Sequence, residues 1–143
     1  MQVQSKEIII SGMDEAKVYK PKEPTYIVSI VDHNYSEKEI GELDNNFGNG
    51  LIVFDRYNFR DFENSYSGFT EDMAQILINN FVTRGADKNI LYVHCWGGIS
   101  RSPAVAAAIN DIYRIESYDI KQKYRNYNRY VYDTLINVAR TNI

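Results

Sequence analysis

The run Thr25 to Val31, TYIVSIV, constrains the fold more than any other segment of the chain. It is β-branched and apolar almost throughout, without the polar alternation of a strand that faces water on one side. A strand of this kind is buried on both faces, so the chain must also supply helices to cover both sides of a sheet. Ile90 to Val93 (ILYV) is a second such strand, and Lys6 to Ile10 and Leu51 to Phe54 are shorter ones. Helical segments fall between them. Ser11 with Asp14 three residues on predicts a capped short helix through about Tyr19, after which Pro21 and Pro24 hold the chain extended. Ser36 and Glu39 predict another, to about Leu43, before the turn-rich stretch Asp44 to Gly50. Met73, Ile76, Leu77 and Phe81 mark one face of an amphipathic helix that ends before Gly85. Ser102 reads as the cap of a helix to about Ile115 with Pro103 at its first position, and helices near Tyr118 to Asn126 and Asn128 to Arg140 close the chain. Strands alternating with helices predict an α/β fold, a central mostly parallel sheet flanked by helices. Residues 1–143 fit one domain.

The chain carries 16 Lys or Arg against 19 Asp or Glu, a net charge of −3. From Tyr113 onward the balance is +3, and before it −6. The basic tail reads as a solvated helix face, and the overall acidity removes the footprint of a nucleic-acid-binding domain. The apolar run Ile8 to Ile10 is too short for the core of a signal peptide or for a membrane span. The expected location is the cytoplasm, with neither nucleic acid nor membrane among the partners. A single cysteine excludes an internal disulfide, and one Cys with two His cannot supply four ligands to a structural zinc.

That cysteine lies in the segment Val93-His94-Cys95-Trp96-Gly97-Gly98-Ile99-Ser100-Arg101-Ser102-Pro103. It falls at the carboxyl end of a strand, where α/β sheets bind ligands, and just ahead of a helix N-terminus. Gly97 and Gly98 let the backbone turn so that successive N–H groups converge on one point as a nest for an anion. The helix dipole adds positive potential there. Arg101, six residues after the cysteine, can curl back and hold two oxygens of a tetrahedral oxyanion with its planar fork. The same surroundings suit Cys95 as a nucleophile that needs no separate base. An inert cysteine in a tight turn would not account for Gly-Gly, Arg101, Ser102 and a helix start at matching offsets.

His94-Cys95, five residues, then Arg101-Ser102, with a glycine at Gly98, resembles the signature loop of the cysteine-dependent protein tyrosine phosphatase superfamily. In length the chain looks like the small dual-specificity type. Val53-Phe54-Asp55, the continuation Ser102-Pro103-Ala104-Val105-Ala106-Ala107-Ala108, and Asn128 opening the last helix are similar to compact bacterial and phage-encoded members. The likeness runs from about Tyr26 onward. It implies a two-step hydrolysis in which Cys95 attacks phosphorus while a carboxylic acid protonates the departing oxygen, and the same carboxylate then activates water. It also implies that Arg101 and the backbone amides of Trp96, Gly97, Gly98, Ile99, Ser100 and Arg101 hold the phosphate oxygens. Ser102 would stabilise the leaving sulfur, and His94 would orient the loop by hydrogen bonding. Neither cofactor nor metal is implied; the expected partner is a phosphoprotein, and the expected ligand phosphate or a similar oxyanion.

In that family the acid lies on a loop after the preceding strand. Here Asp55 to Phe69 forms a polar and aromatic loop of fifteen residues that offers Asp55, Asp61 and Glu63. Asp61, 34 residues before Cys95, resembles the family's acid in placement; Asp55, 40 residues before it and directly after the strand, is the alternative. Where phage-like members show Phe-Asp-Asp, this chain has Phe54-Asp55-Arg56. Tyr57, Phe59, Phe62 and Tyr66 could pack on a phosphotyrosine ring or anchor the loop to the core. No Lys lies between Cys95 and Arg101, unlike in phosphoinositide-selective relatives, so phosphotyrosine is the first choice of substrate and dual specificity the second. Trp96 is expected to pack beneath the loop. Two other function classes fit the same loop. One is a phosphate-recognising module without turnover; the other is a different thiolate enzyme, such as an arsenate reductase or sulfurtransferase.

Overall fold

A computed structural model describes Val3, Gln4 and residues 7–141. The strands are β1 (Glu7–Ser11), β2 (Thr25–Val31), β3 (Ile52–Asn58) and β4 (Ile90–His94). They pair in parallel throughout, in the order β1-β4-β2-β3. The helices are α1 (Met13–Ala16), α2 (Glu37–Phe47), α3 (Glu71–Asn80), α4 (Arg101–Tyr113), α5 (Ile120–Lys123) and α6 (Arg129–Thr141). This is the covered parallel sheet that the apolar strands demand. Every residue of β2 and β4 is buried.

Because successive strand residues point to opposite faces, the sheet generates two cores. On one face Tyr26, Val28, Ile30, Leu91 and Val93 join Leu77 of α3, Val105 of α4 and Leu135 of α6. On the other, Ile27, Val31 and Tyr92 join Met13 of α1 and Leu43 and Phe47 of α2. No helix among the described residues is long and apolar enough to cross a membrane.

Several element boundaries differ from those expected, each for a tertiary reason. Lys6, expected to open the first strand, lies outside the described residues. Ser11 belongs to β1, so α1 is capped from Gly12, whose N–H donates to the Glu15 carboxylate at 2.6 Å. Ser36 and Glu39 form the expected capping box, but α2 runs four residues past Leu43 to Phe47. Phe47 is buried there, and the Asn46 amide donates to the carbonyls of Ala16 and Tyr19. Burial and those bonds override the turn propensity of Asp44 to Phe47. Strand β3 continues to Asn58 because its pairing with β2 continues to Val31, which places Asp55 within the strand rather than in the loop. After α3, the chain makes a wider π-type turn over Phe81–Gly85. Helix α4 begins at Arg101 with Ser100 as N-cap, so Pro103 sits at its third position. It stops at Tyr113, with Arg114 in the left-handed region at φ 56°. Of Tyr118 to Asn126, only Ile120–Lys123 is helical.

Gly85 is the tightest backbone position in the larger core. A Cβ there would lie 2.6 Å from Tyr26 Cδ2 and 3.0 Å from Phe81 Cδ1. Neither ring is exposed to solvent, and the Tyr26 hydroxyl is tied to Asp55 at 2.6 Å, so neither can step aside. Gly85→Ala is expected to lower stability by about 1–3 kcal/mol, the range for overpacking a core. Urea denaturation would read this as a lower midpoint with an unchanged slope.

Candidate active site

Cys95 is the first residue beyond β4 and is 3 % exposed. Its N–H donates to the Ser11 carbonyl at 3.3 Å, and the Met13 N–H donates to the Trp96 carbonyl at 3.0 Å. The end of β1 and the start of α1 therefore fasten the first half of the loop. Gly98 makes the turn at φ +73°, where a Cβ would sit 2.6 Å from the Gly12 nitrogen and the Ser11 carbonyl carbon. A Cβ on Gly12 would in turn lie 2.9 Å from the Trp96 carbonyl oxygen. The two backbones touch, so neither position admits a side chain. Held this way, the loop directs the Gly98 N–H onto Cys95 Sγ at 3.3 Å and leaves Ser102 Oγ 3.2 Å from the same sulfur. Among the described residues no hydrogen bond is made by the N–H groups of Gly97, Ile99 or Ser100, which leaves them free for an anion.

Arg101 opens α4 and is 5 % exposed. Its Nη1 donates to Asp32 Oδ2 at 2.9 Å and to the Phe59 carbonyl at 2.7 Å. With Asp32, Asn34 and Trp96 it lines a cavity of about 260 Å³. Trp96 is 53 % exposed and meets the Tyr35 ring edge-on at 5.3 Å. It therefore stands at the cavity's mouth, not beneath the loop as its apolar bulk suggests. The Gly12–Gly98 backbone contact occupies the space under the loop.

His94 ends β4 on the opposite face, fully buried, with Nε2 2.6 Å from Ser29 Oγ and Nδ1 3.4 Å from the Cys95 carbonyl. Arg56 Nε donates to the same Ser29 oxygen at 3.3 Å. Ser29 thus donates its hydroxyl hydrogen bond to Nε2, and Nδ1–H faces the Cys95 carbonyl. Burial pushes the His94 imidazole down to about 4; the Cys95 carbonyl opposes this, and the cations Arg56 and Arg101 reinforce it. His94 is therefore neutral at pH 7, with one ring nitrogen engaged by Ser29 and the other facing the Cys95 carbonyl.

The loop from Phe59 to Thr70 crosses beside the Cys95 segment. Asp61 Oδ1 accepts from Ser100 Oγ at 2.7 Å and from Asn128 Nδ2 at 2.8 Å, and Oδ2 has no partner among the described residues. The Asn128 amide also donates to the Phe62 carbonyl, and Glu63 accepts the Arg129 N–H at 3.0 Å. The start of α6 thereby pins this loop against Ser100. Asp55 sits elsewhere, under Tyr26 at 2.6 Å and Arg84 at 2.9 Å, and none of its hydrogen bonds reaches the Cys95 loop. Phe59 and Tyr57 are buried anchors in the core, whereas Phe62 and Tyr66 are exposed.

No family model matches the sequence, and no curated protein matches it. Solved structures do. Tk-PTP in the active form superposes over 95 % of this chain and 92 % of its own, with a TM-score of 0.58 and 15 % identity. PTPMT1 covers 98 % of this chain and 94 % of its own, with a TM-score of 0.56 and 12 % identity. The PTP-2 phosphatase of Cydia pomonella covers 95 % and 88 %, with a TM-score of 0.55 and 14 % identity. The fold is that of the protein tyrosine phosphatases.

Within this tyrosine-phosphatase fold the structure brings Cys95, Arg101, Ser102, Gly98 and Asp61 to the carboxyl edge of the sheet and leaves Asp55 inside it. Asp32 was missed from sequence. Its signal was position: the first residue beyond a central parallel strand lies where α/β sheets build their sites. Ser29, a small hydroxyl residue between Val28 and Ile30 in the middle of a buried strand, was a second such signal.

The neutral His94 has a pH consequence. In the unfolded chain the imidazole titrates near ~6.5, whereas in the fold it resists protonation down to about 4. Its contribution is whole above ~6.5 and is lost as pH falls toward 4, where the unfolded chain binds a proton that the native state refuses. Stability is expected to drop by about 2 kcal/mol between pH 7 and pH 5 from this group alone. Denaturation of the wild type and of His94→Gln at both pH values checks it: the variant should lose that share of the pH dependence.

Proposed function

We propose that the chain hydrolyses phosphate monoesters, phosphotyrosine before phosphoserine or phosphothreonine, through a phosphocysteine on Cys95. The observation that carries this reading is the sulfur itself, buried at the head of α4 and in contact with the Gly98 N–H and the Ser102 hydroxyl. Both are contacts that a sulfur anion accepts. The sulfur attacks phosphorus in line; the S–P bond forms as the ester P–O bond breaks, and the departing oxygen takes a proton from Asp61. Water then attacks the phosphocysteine, gives a proton to the Asp61 carboxylate, and releases inorganic phosphate and the cysteine sulfur. Arg101 and the free loop N–H groups hold the equatorial oxygens while charge shifts among them. Ser102 Oγ, 3.2 Å from Sγ, donates to the sulfur as it leaves in the second step. Asp61 is supported as the acid because its Oδ1 is fixed by Ser100 and Asn128 while Oδ2 is left for the proton.

Trp96 favours an aromatic ester, because it stands half exposed over the cavity that holds Arg101, backed by Tyr35. A phosphotyrosine ring entering there meets an aromatic side wall; a serine ester has no ring to meet it. The substrate on this reading is a cytoplasmic phosphoprotein.

Turnover of an aryl phosphate tests the chemistry. Cys95→Ser is expected to abolish it, and activity surviving in that variant would overturn the mechanism. Asp61→Asn should lower kcat by about 10²- to 10⁴-fold and remove the basic limb of the pH–rate profile, while Asp55→Asn leaves that limb in place. Vanadate binding without turnover in the wild type would favour a phosphate-recognising module instead.

Trp96→Ala separates substrate classes. It should raise KM for a phosphotyrosine peptide about fivefold more than for the matched phosphoserine peptide, the ~1 kcal/mol of one aromatic contact. Equal effects on the two peptides would remove the basis for a tyrosine preference.

A further inference from the structure

A row of three polar side chains crosses the sheet and ends at the Cys95 loop. Arg56 of β3 is in register with Ser29 of β2, and Ser29 with His94 of β4, so the three lie side by side on the face that α2 covers. Arg56 Nε donates to Ser29 Oγ at 3.3 Å, Ser29 Oγ lies 2.6 Å from His94 Nε2, and His94 Nδ1 lies 3.4 Å from the Cys95 carbonyl. At the outer end, Arg56 Nη1 pairs with Asp44 at 2.7 Å, but Asp44 is half exposed and an ion pair of that kind adds little. Arg56 Nη2 is buried with no hydrogen-bond partner among the described residues, which costs stability. Fold stability is therefore a poor reason for a guanidinium in this place.

The row has a direction. A serine hydroxyl has one proton to give, and an arginine can only donate, so within the row the Ser29 proton has a single acceptor, Nε2. Arg56 polarises the hydroxyl and strengthens that donation. In the opposite tautomer Nε2–H would compete with the guanidinium for the Ser29 oxygen, and a bare Nδ1 would face the Cys95 carbonyl oxygen. Without Arg56 the Ser29 oxygen is free to accept from Nε2–H, and both tautomers become accessible. Arg56 and Arg101 are the charged groups acting on the ring, and Phe47 of α2 packs on it.

We propose that Arg56 is a positioning residue for the Cys95 loop: by occupying the acceptor side of Ser29 it holds His94 in the one tautomer that presents Nδ1–H to the Cys95 carbonyl. Its effect on turnover rests on the phosphatase reading of Cys95. Two plainer roles predict different results. A tie between β3 and α2 works through Asp44, and a bare positive charge near the sulfur works without Ser29.

Nitrogen-15 NMR of the imidazole, assigned against His94→Gln, and aryl phosphate kinetics test this together. The wild type should show a protonated Nδ1 and an unprotonated Nε2. Arg56→Met keeps the length of the stem and removes the unpaired donor, so it should stay folded, which thermal unfolding checks. It is expected to show a mixture of tautomers and to lower kcat/KM by about 3- to 30-fold, the span of coupling within one hydrogen-bond network. Arg56→Lys, which can still donate to Ser29, should restore the single tautomer and part of the rate. Asp44→Asn should change neither. In a Ser29→Ala background Arg56→Met should cost almost nothing further. An unchanged imidazole spectrum in Arg56→Met, an equal loss in Asp44→Asn, or losses that add in the double variant would overturn the proposal and leave the phosphatase reading intact. A wild type that turns over no aryl phosphate would overturn that reading, and the imidazole spectra would still decide the part played by Arg56.

Discussion

The register between β2 and β4, with Ser29 opposite His94, is the constraint on which the rest depends. Parallel strands end at the same edge, so this pairing brings Asp32 and Cys95, 63 residues apart in sequence, to one edge of the sheet, with β2 running two residues past the last paired residue of β4. Burial on both faces locks it. A slip of one residue would turn Tyr26, Val28 and Ile30 toward the other core and carry Ser29 away from His94. The site is therefore built on strands buried on both faces, and its loops inherit their positions from the core.

Charge around Cys95 is arranged so that little of it is loose. Asp32 engages Arg101, Asp61 engages Ser100 and Asn128, and Glu63 engages the first N–H of α6. His94 adds no charge, because burial disfavours an imidazolium there and Arg56 and Arg101 reinforce the effect. Among the described residues, what is left uncommitted is the N–H groups of Gly97, Ile99 and Ser100, one edge of Arg101, and a single acceptor, Asp61 Oδ2. N–H donors gathered in this way are complementary to an oxyanion, as the proposed function requires.

Much of this was legible in the sequence where the signal was local. The Cys95 to Arg101 loop was readable because its glycines, its spacing and its strand-to-helix context lie within one short segment. The four strands and their parallel arrangement followed from apolar runs separated by helical periodicity. What escaped depends on partners distant in the chain. The helical continuation of Asp44 to Phe47 exists because Asn46 finds the Ala16 and Tyr19 carbonyls, and β3 reaches Asn58 because β2 extends alongside it. The two aspartates illustrate the difference. Asp55 and Asp61 look alike as loop residues until the pairing of β3 takes one into the sheet and Asn128 fixes the other beside Ser100.

The contact between Gly12 and Gly98 gives the N-terminal turn an unexpected part in the site. Neither glycine touches the sulfur through a side chain, yet the turn between β1 and α1 acts as a mould, and the Cys95 loop is the cast. A polypeptide with every loop residue intact but without β1 would keep the chemistry's ingredients and lose the surface that gives them their form.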